Sequence, residues 1–552
     1  MIGLVHTEHE RPIAREFFEL FKTPWEPYTS GRYYDILVVT SGEVPSDPNA
    51  KLILIYGSRR TRFDRDIVPL VKEAAEECTW VQGDGLEIPV YGEVSACAPS
   101  KRTFLHSRDR GDCIGGTLPA GNRDIIRIGY NLFEEVAFLL SRGQPPYNAH
   151  IPTLEIHISI LRECIRNAGI PLVEILPTPY GYDFTASLTH DVDFVGIRDH
   201  KLDHTMWGFL YRASIGALVS LAKGRSTWSR CVENWKAVAS LPLVHLGLCK
   251  DFWIEFDRYC EIESGLNPTF FFIPFRDDPG TWNDRPAPSP RAAKYDVRQL
   301  RGPIRKLAQQ GCEIGLHGLN AWRDCDSAML ESKRIGEVFE QSETGVRMHW
   351  LYMTEQSPKV LQDAGFAYDS TYGYNEAIGF RAGSAQAFCP IGAPGLTELP
   401  LIIQDTALFY PNRMNLSEGE AMDCCIGVIQ SIVRYGGALT INWHTRSLSP
   451  ERLWGEFYKA LLAHIRQSKV WFCTAGMNAK WFRARRAVRF EAVSNGGGVR
   501  LTIDDPLSDD LPALRVRVYG SGRNGHLDTD DQDTAWRGSA DLSVCPAQQA
   551  RI

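Results

Sequence analysis

Residues 187–194 read SLTHDVDF, and the uncharged stretch from Phe184 to Leu188 runs straight into two carboxylates, Asp191 and Asp193. On an extended backbone, positions i and i+2 point to the same side. Like charges placed side by side repel unless a cation or a shared proton relieves them. Alone, such a pair is an ordinary turn signal. Its company downstream changes the reading. Polar groups end several other apolar segments: His317 in EIGLHG, Arg347 and His349 in VRMHW, Asp405 in LIIQDT and His444 in TINWH. Each has a bland explanation as a satisfied buried histidine, a surface ion pair or a strand cap. Together they amount to one arginine, several imidazoles and three carboxylates. That is the inventory of a hydrolytic centre with a cation, a base and an acid.

Such groups must be brought together by elements that place strand ends side by side. From about 180 to 480 the chain alternates strand-like and helix-like segments. The strand-like ones are FTASLTHDVD, PTFFFIPF (268–275), CEIGLHG (312–318), VRMHWLY (346–352), LTELPLII (396–403) and ALTINWH (438–444). VRQLRGPIRKLAQQG (297–311) and EQSPKVLQDAGF (355–366) carry helical spacing between them. Strand then helix, repeated, favours a parallel sheet or barrel, whose chemistry gathers at the carboxyl ends of the strands. Before this region YYDILVVTS (33–41) and KLILIYG (51–57) read as buried strands, and helical patterns cover 66–78, 131–143 and 152–169. PLVEILPTPYGYDF (171–184) reads as a linker. After about 485, AVRFEAV, SNGGG and VRLTIDD predict a hairpin, ALRVRVYG (513–520) a further strand, and the remaining polar tail a loosely ordered end. The acidic DTDDQD (528–533) lacks the residue pattern of a calcium loop and reads as solvated.

With 552 residues the chain exceeds what one core serves. We expect an N-terminal α/β domain over 1–175, a barrel over 176–482 and a small β module over 483–552. A net charge of −7 gives no basic footprint for nucleic acid. The N-terminal residues lack the apolar core of a signal peptide, and no apolar stretch is long enough to span a bilayer, FLYRASIGALVSLAKG (209–224) included. The 14 cysteines show no framework spacing, so reduced thiols and a cytoplasmic location are expected.

The middle region resembles the polysaccharide deacetylases of the NodB-homology type, within the broader carbohydrate esterase family 4. THDVD (189–193) resembles a variant of that family's first motif, CEIGLHG (312–318) the first half of its second, and VRMHWLY followed by GFAYDST (365–371) its third. ELPLIIQDTAL (398–408) and LTINWH (439–444) resemble the later ones. The resemblance covers about 300 residues. It implies a distorted barrel of seven or so β/α units and one divalent metal ion, Zn²⁺ with Co²⁺, Ni²⁺ or Mn²⁺ as alternatives. By the same resemblance Asp191 would be the base, Asp193 and His317 metal ligands, Arg347 the partner of Asp191, and His444 the general acid with Asp405 beside it. A backbone N–H near Tyr372 would face the oxyanion. Aromatic residues near the strand ends (Trp322, Trp350, Tyr352, Tyr372, Tyr374 and Trp443) would contact sugar rings, Trp350 and Tyr372 foremost.

One position departs from the pattern. The family's second metal histidine falls four residues after His317, and Ala321 stands there. His190, His200, His204, His349 and Asn320 are the candidate replacements. The reading is a metal-dependent deacetylase acting on the N-acetyl or O-acetyl group of a sugar or polysaccharide precursor. Two alternatives stay open: another barrel amidohydrolase acting on a cyclic imide or ureide, and a non-catalytic carbohydrate-binding relative. The oligomeric state is undetermined.

Overall fold

The computed structural model describes residues 1–40, 44–46, 48–59, 79–83, 85–96, 102–120, 123–224, 226–339, 343–492, 498–520, 531–540 and 542–544. The helix expected over 66–78 lies outside them.

The chain is mixed α/β, and its centre is a parallel sheet curled towards a barrel. In order its strands are Thr397–Glu398, Tyr368–Asp369, Gly345–Met348, Glu313–Gly318, Thr269–Phe272, Phe184–Val192, Ala438–Asn442 and Ile403–Gln404, with Val470–Phe472 also on Phe184–Val192. Every pairing in this sheet is parallel. The two outermost strands are neighbours in sequence, so the sheet has to bend until they approach. Residues 399–402 bridge the gap: Leu399 N–H donates to Asp369 C=O at 2.8 Å, and Ile402 N–H to Thr440 C=O at 3.0 Å. All nine residues of Phe184–Val192 are buried, as expected of a strand covered on both faces. Helices Arg301–Gln309, Ser357–Asp363 and Glu418–Tyr435 pack outside. The strand expected over 346–352 stops at Met348, because Trp350 and Leu351 take positive φ (61° and 55°) and turn the chain away.

Among the described residues the N-terminal sheet has nine strands, parallel from Trp25–Pro27 to Arg123–Ile128 and antiparallel beyond. Helices Leu132–Ser141 and Thr153–Asn167 follow it, close to the expected positions. The second helix and the connection between the two meet the barrel: Tyr374 Oη donates to Gln144 C=O at 2.7 Å, and Gln386 Nε2 to Glu155 Oε1 at 3.1 Å.

Two expectations are corrected. The stretch read as a linker contains the strand Leu172–Pro179, which pairs antiparallel with Leu514–Tyr519. Prolines there are tolerated because the register breaks between Ile175 and Pro179. The polar tail is also not uniformly loose: Gln532–Trp536 completes that three-stranded sheet, and Asp533 bonds Arg515 at 2.6 Å and Arg517 at 2.7 Å. The predicted hairpin is present as Arg489–Ala492 against Val499–Thr502.

Candidate active site

The carboxyl ends of five barrel segments converge. Asp191 closes the strand Phe184–Val192 and is almost wholly buried. Arg347, on the strand Gly345–Met348, donates to Asp191 Oδ1 at 3.0 Å and to Thr189 Oγ1 at 2.7 Å. It is itself fixed by Ser370, through the carbonyl at 3.0 Å and the hydroxyl at 2.9 Å. Asn442, on the adjoining strand, donates to Asp191 Oδ2 at 2.7 Å and accepts from the Asp191 N–H at 3.2 Å. Both oxygens of Asp191 are therefore aimed. A charge-assisted bond to a buried guanidinium also holds the carboxylate in one orientation.

Asp193 meets imidazoles instead. Its Oδ1 lies 3.3 Å from His317 Nε2 and 3.5 Å from His349 Nε2, and its Oδ2 lies 3.8 Å from His444 Nε2. The Nδ1–H of His317 donates to the Arg347 carbonyl at 3.0 Å, since a carbonyl only accepts. That leaves the Nε2 lone pair facing Asp193. Burial pushes the Asp193 carboxyl up, and the charged forms of His349, His317 and His444 would outweigh it and hold the group well below the usual carboxylate range. Burial pushes His349 well below the ordinary imidazole value, so its ring is neutral.

One oxygen and two imidazole nitrogens, from Asp193, His317 and His349, lie within 4.8 Å of one another. Asp193 Oδ1 receives no well-formed hydrogen bond from any described residue. A carboxylate oxygen and two imidazole nitrogens gathered at one spot fit a divalent cation, and a carboxylate with two histidines is a donor set suited to Zn²⁺. Of the candidates for position 321, His349 is the one brought to this cluster, at the far end of the strand beside His317. Its placement comes from the turn at Trp350 and from Arg291, whose buried guanidinium donates to the carbonyls of His349 and Leu319, each at 3.0 Å. Ala321 itself is fully buried in the core.

His444 follows the strand Ala438–Asn442. Its Nδ1 lies 2.6 Å from Asp405 Oδ1, and its N–H donates to Asp405 Oδ2 at 2.7 Å. Ser447 Oγ and the Thr406 N–H also bond this carboxylate. Burial works against a charge on His444, but Asp405 outweighs it and lifts the imidazole to about 8. Burial likewise raises Asp405, and His444 reverses that, holding it below the carboxylate norm.

The other candidates for position 321 lie elsewhere. His190 projects to the opposite face of its strand, between the Trp443 carbonyl at 2.7 Å and Glu263 at 3.0 Å. His200 bonds Asp203 at 2.7 Å, and His204 bonds Thr205 at 3.2 Å. Asn320 accepts from the Thr281 N–H at 2.8 Å. Tyr372, expected to contact substrate near the oxyanion donor, does not present its ring to an open site. Its ring is buried, its hydroxyl donates to Leu139 C=O at 3.0 Å, and its N–H is taken by Glu398 at 2.9 Å. Tyr374, Trp322 and Trp443 are buried too, Trp443 stacking on Tyr458 at 4.9 Å. Trp350 stays partly open beside His349, their rings 5.8 Å apart. Sequence reasoning missed Asn442 and Arg291. The first had a signal, since it stands two residues before His444 on one strand face. The second ends the short 3₁₀ turn Ser289–Arg291 and had none.

No protein-family model matches the chain. No curated protein matches it either. Among solved structures it is similar to a Mycobacterium smegmatis protein assigned as a polysaccharide deacetylase, over 57% of this chain and 96% of that one (21% identity, TM-score 0.35). It is similar to Agd3, a carbohydrate deacetylase, over 98% and 97% (7% identity, TM-score 0.37). A third likeness, to Puue allantoinase, covers 55% and 92% (13% identity, TM-score 0.33). Likenesses this distant carry no argument about the site, whose chemistry rests on the geometry above.

Proposed function

We propose that this protein is a metal-dependent deacetylase that hydrolyses the N-acetyl or O-acetyl group of a sugar or polysaccharide precursor. The divided aspartate pair carries the reading: Asp191 is held by Arg347 and Asn442, while Asp193 faces His317 and His349. One carboxylate is equipped to move a proton and the other to bind a cation. A divalent ion held by Asp193, His317 and His349 would polarise the acyl carbonyl and make a bound water acidic.

The chain's own groups do the rest. Asp191 accepts the proton of the attacking water, aimed by Arg347. His444 enters the reaction protonated, because Asp405 holds its charge, and gives that proton to the departing nitrogen or oxygen. Trp350, partly exposed beside His349, offers a face to a sugar ring.

The test is release of acetate from N-acetylated and O-acetylated sugars by protein loaded with Zn²⁺, with Co²⁺, Ni²⁺ and Mn²⁺ compared. Asp191→Asn is expected to slow release by about 10²–10⁴-fold, the usual worth of a positioned base. Undiminished release by that variant would refute the assignment.

A further inference from the structure

The large apolar side chains that this protein leaves exposed are not scattered. Of the 21 among the described residues, 13 lie between Leu202 and Ile254. That segment forms a helical hairpin beside the candidate site. Its first arm is His204–Tyr211, continued through a π segment to Ala217–Ala222, and its second arm is Trp228–His245. The inner faces are already satisfied, with Met206, Phe209, Ala237, Leu241 and Val244 packed on Trp253 and Ile197. Yet each arm carries a second apolar stripe facing out. On the first it runs Trp207, Tyr211, Ile215 and Leu218, and on the second Trp228, Val232 and Trp235. Steps of three and four residues put each set on one helix face. Trp228 is 64% exposed and Leu246, just past the second arm, 72%. A helix apolar on both faces is not designed for water alone.

The charge of the segment identifies what covers it. Residues 204–250 hold six Lys or Arg and one acidic residue, Glu233, in a chain whose net charge is −7. The outer stripe leads through Tyr211 and Val219 into a groove of about 1080 Å³ that also contains Arg212, Lys223 and Arg230. Arg230 is paired with Glu418 at 2.5 Å. Arg212 and Lys223 have no carboxylate within ion-pairing distance among the described residues. Tryptophan, tyrosine and leucine flanked by unpaired cations is the composition of a surface that lies in a lipid headgroup layer. No described helix is long and apolar enough to cross a membrane, so the hairpin would lie along the interface rather than span it. The far wall of the groove adjoins the candidate site. Phe194 follows Asp193, and Arg452 bonds Ser447, which in turn bonds Asp405.

We propose that this hairpin seats the protein on an anionic lipid bilayer, with a lipid headgroup entering the groove at Arg212 and Lys223. The proposal goes beyond the deacetylase reading and stands or falls without any substrate.

Co-sedimentation of the full chain with vesicles tests it. Pelleting is expected with phosphatidylcholine mixed with phosphatidylglycerol, weaker pelleting with phosphatidylcholine alone, and release as salt rises. Replacing Trp207, Trp228 and Trp235 together by serine is expected to lower partitioning at least tenfold. Arg212→Gln with Lys223→Gln is expected to lower it roughly tenfold on the anionic vesicles. Val433→Ser, an exposed apolar residue on another helix, should change nothing. All these positions except Arg212 and Lys223 are surface apolar groups, and thermal midpoints check that each variant is folded. Absence of pelleting, or pelleting by the charge variant and the tryptophan variant that equals that of the wild type, overturns the proposal. So does a stable dimer in solution that ignores vesicles and is split by the same tryptophan changes, since the face would then belong to a second copy.

Discussion

Replacing His349 by alanine tests the part of the site that only folding assembles. In the structure His349 Nε2 lies 3.5 Å from Asp193 Oδ1, and its ring centre lies 4.8 Å from that of His317. The change leaves two of three donors. A residue that merely orients a metal ligand is worth about 10–100-fold in affinity, so a ligand itself should be worth at least 100-fold, or about 2.7 kcal/mol at 1.36 kcal/mol per decade. The assay is competition for Zn²⁺ against a chromophoric chelator, supported by the absorption of the Co²⁺ form. His200→Ala is the control, because His200 is also buried and also bonds a carboxylate, Asp203, outside the cluster. It should cost stability and leave metal affinity alone. Affinity within a few-fold of wild type in His349→Ala, or an equal fall in His200→Ala, refutes the assignment of the third ligand.

Three further outcomes are expected. Asp405→Asn removes the charge that lifts His444 to about 8, so the alkaline limb of the pH–rate profile should move down by about one to two units, and NMR titration of His444 should follow it. Burial raises Glu155 from 4.5 to about 7, against the bonds from Ser384 and Gln386. Because the folded value lies above the unfolded one, its contribution is complete below pH 4.5 and lost as pH rises through 7. Glu155→Gln should therefore flatten the fall in thermal stability between pH 5 and 8, an effect on the order of 3 kcal/mol. Arg485 is buried and bonds the carbonyls of Glu19, Leu20 and Ile175. Arg485→Ala leaves them unpaired and should lower stability by about 3 kcal/mol or more, read by denaturant titration.

Much of the fold was legible in the sequence because period and punctuation are local. The run from Phe184 to Leu188 and the segment CEIGLHG gave buried parallel strands, and both end in polar groups that the structure brings together. The linker reading of 171–184 failed for a non-local reason. Prolines and a glycine signal irregular backbone, but only the partner Leu514–Tyr519, more than 300 residues away, makes Leu172–Pro179 a strand. Tyr372 was misplaced in the same way. Its neighbours in the chain suggested a rim, whereas the N-terminal helix that buries it lies far off in sequence.

By itself the sequence determined that Asp191 and Asp193 share a side, since spacing along an extended strand fixes direction. It also determined which strand ends carry an arginine, a histidine or a carboxylate. Tertiary structure decided the surroundings of each, because Asn442 and Arg347 arrive from neighbouring strands to take one aspartate and leave the other to the imidazoles. It also brings His349, and not His190, His200, His204 or Asn320, to the cluster of Asp193 and His317. The sequence presents all five as polar groups of similar standing. Only the register between Glu313–Gly318 and Gly345–Met348, with the turn at Trp350, sets one of them against His317.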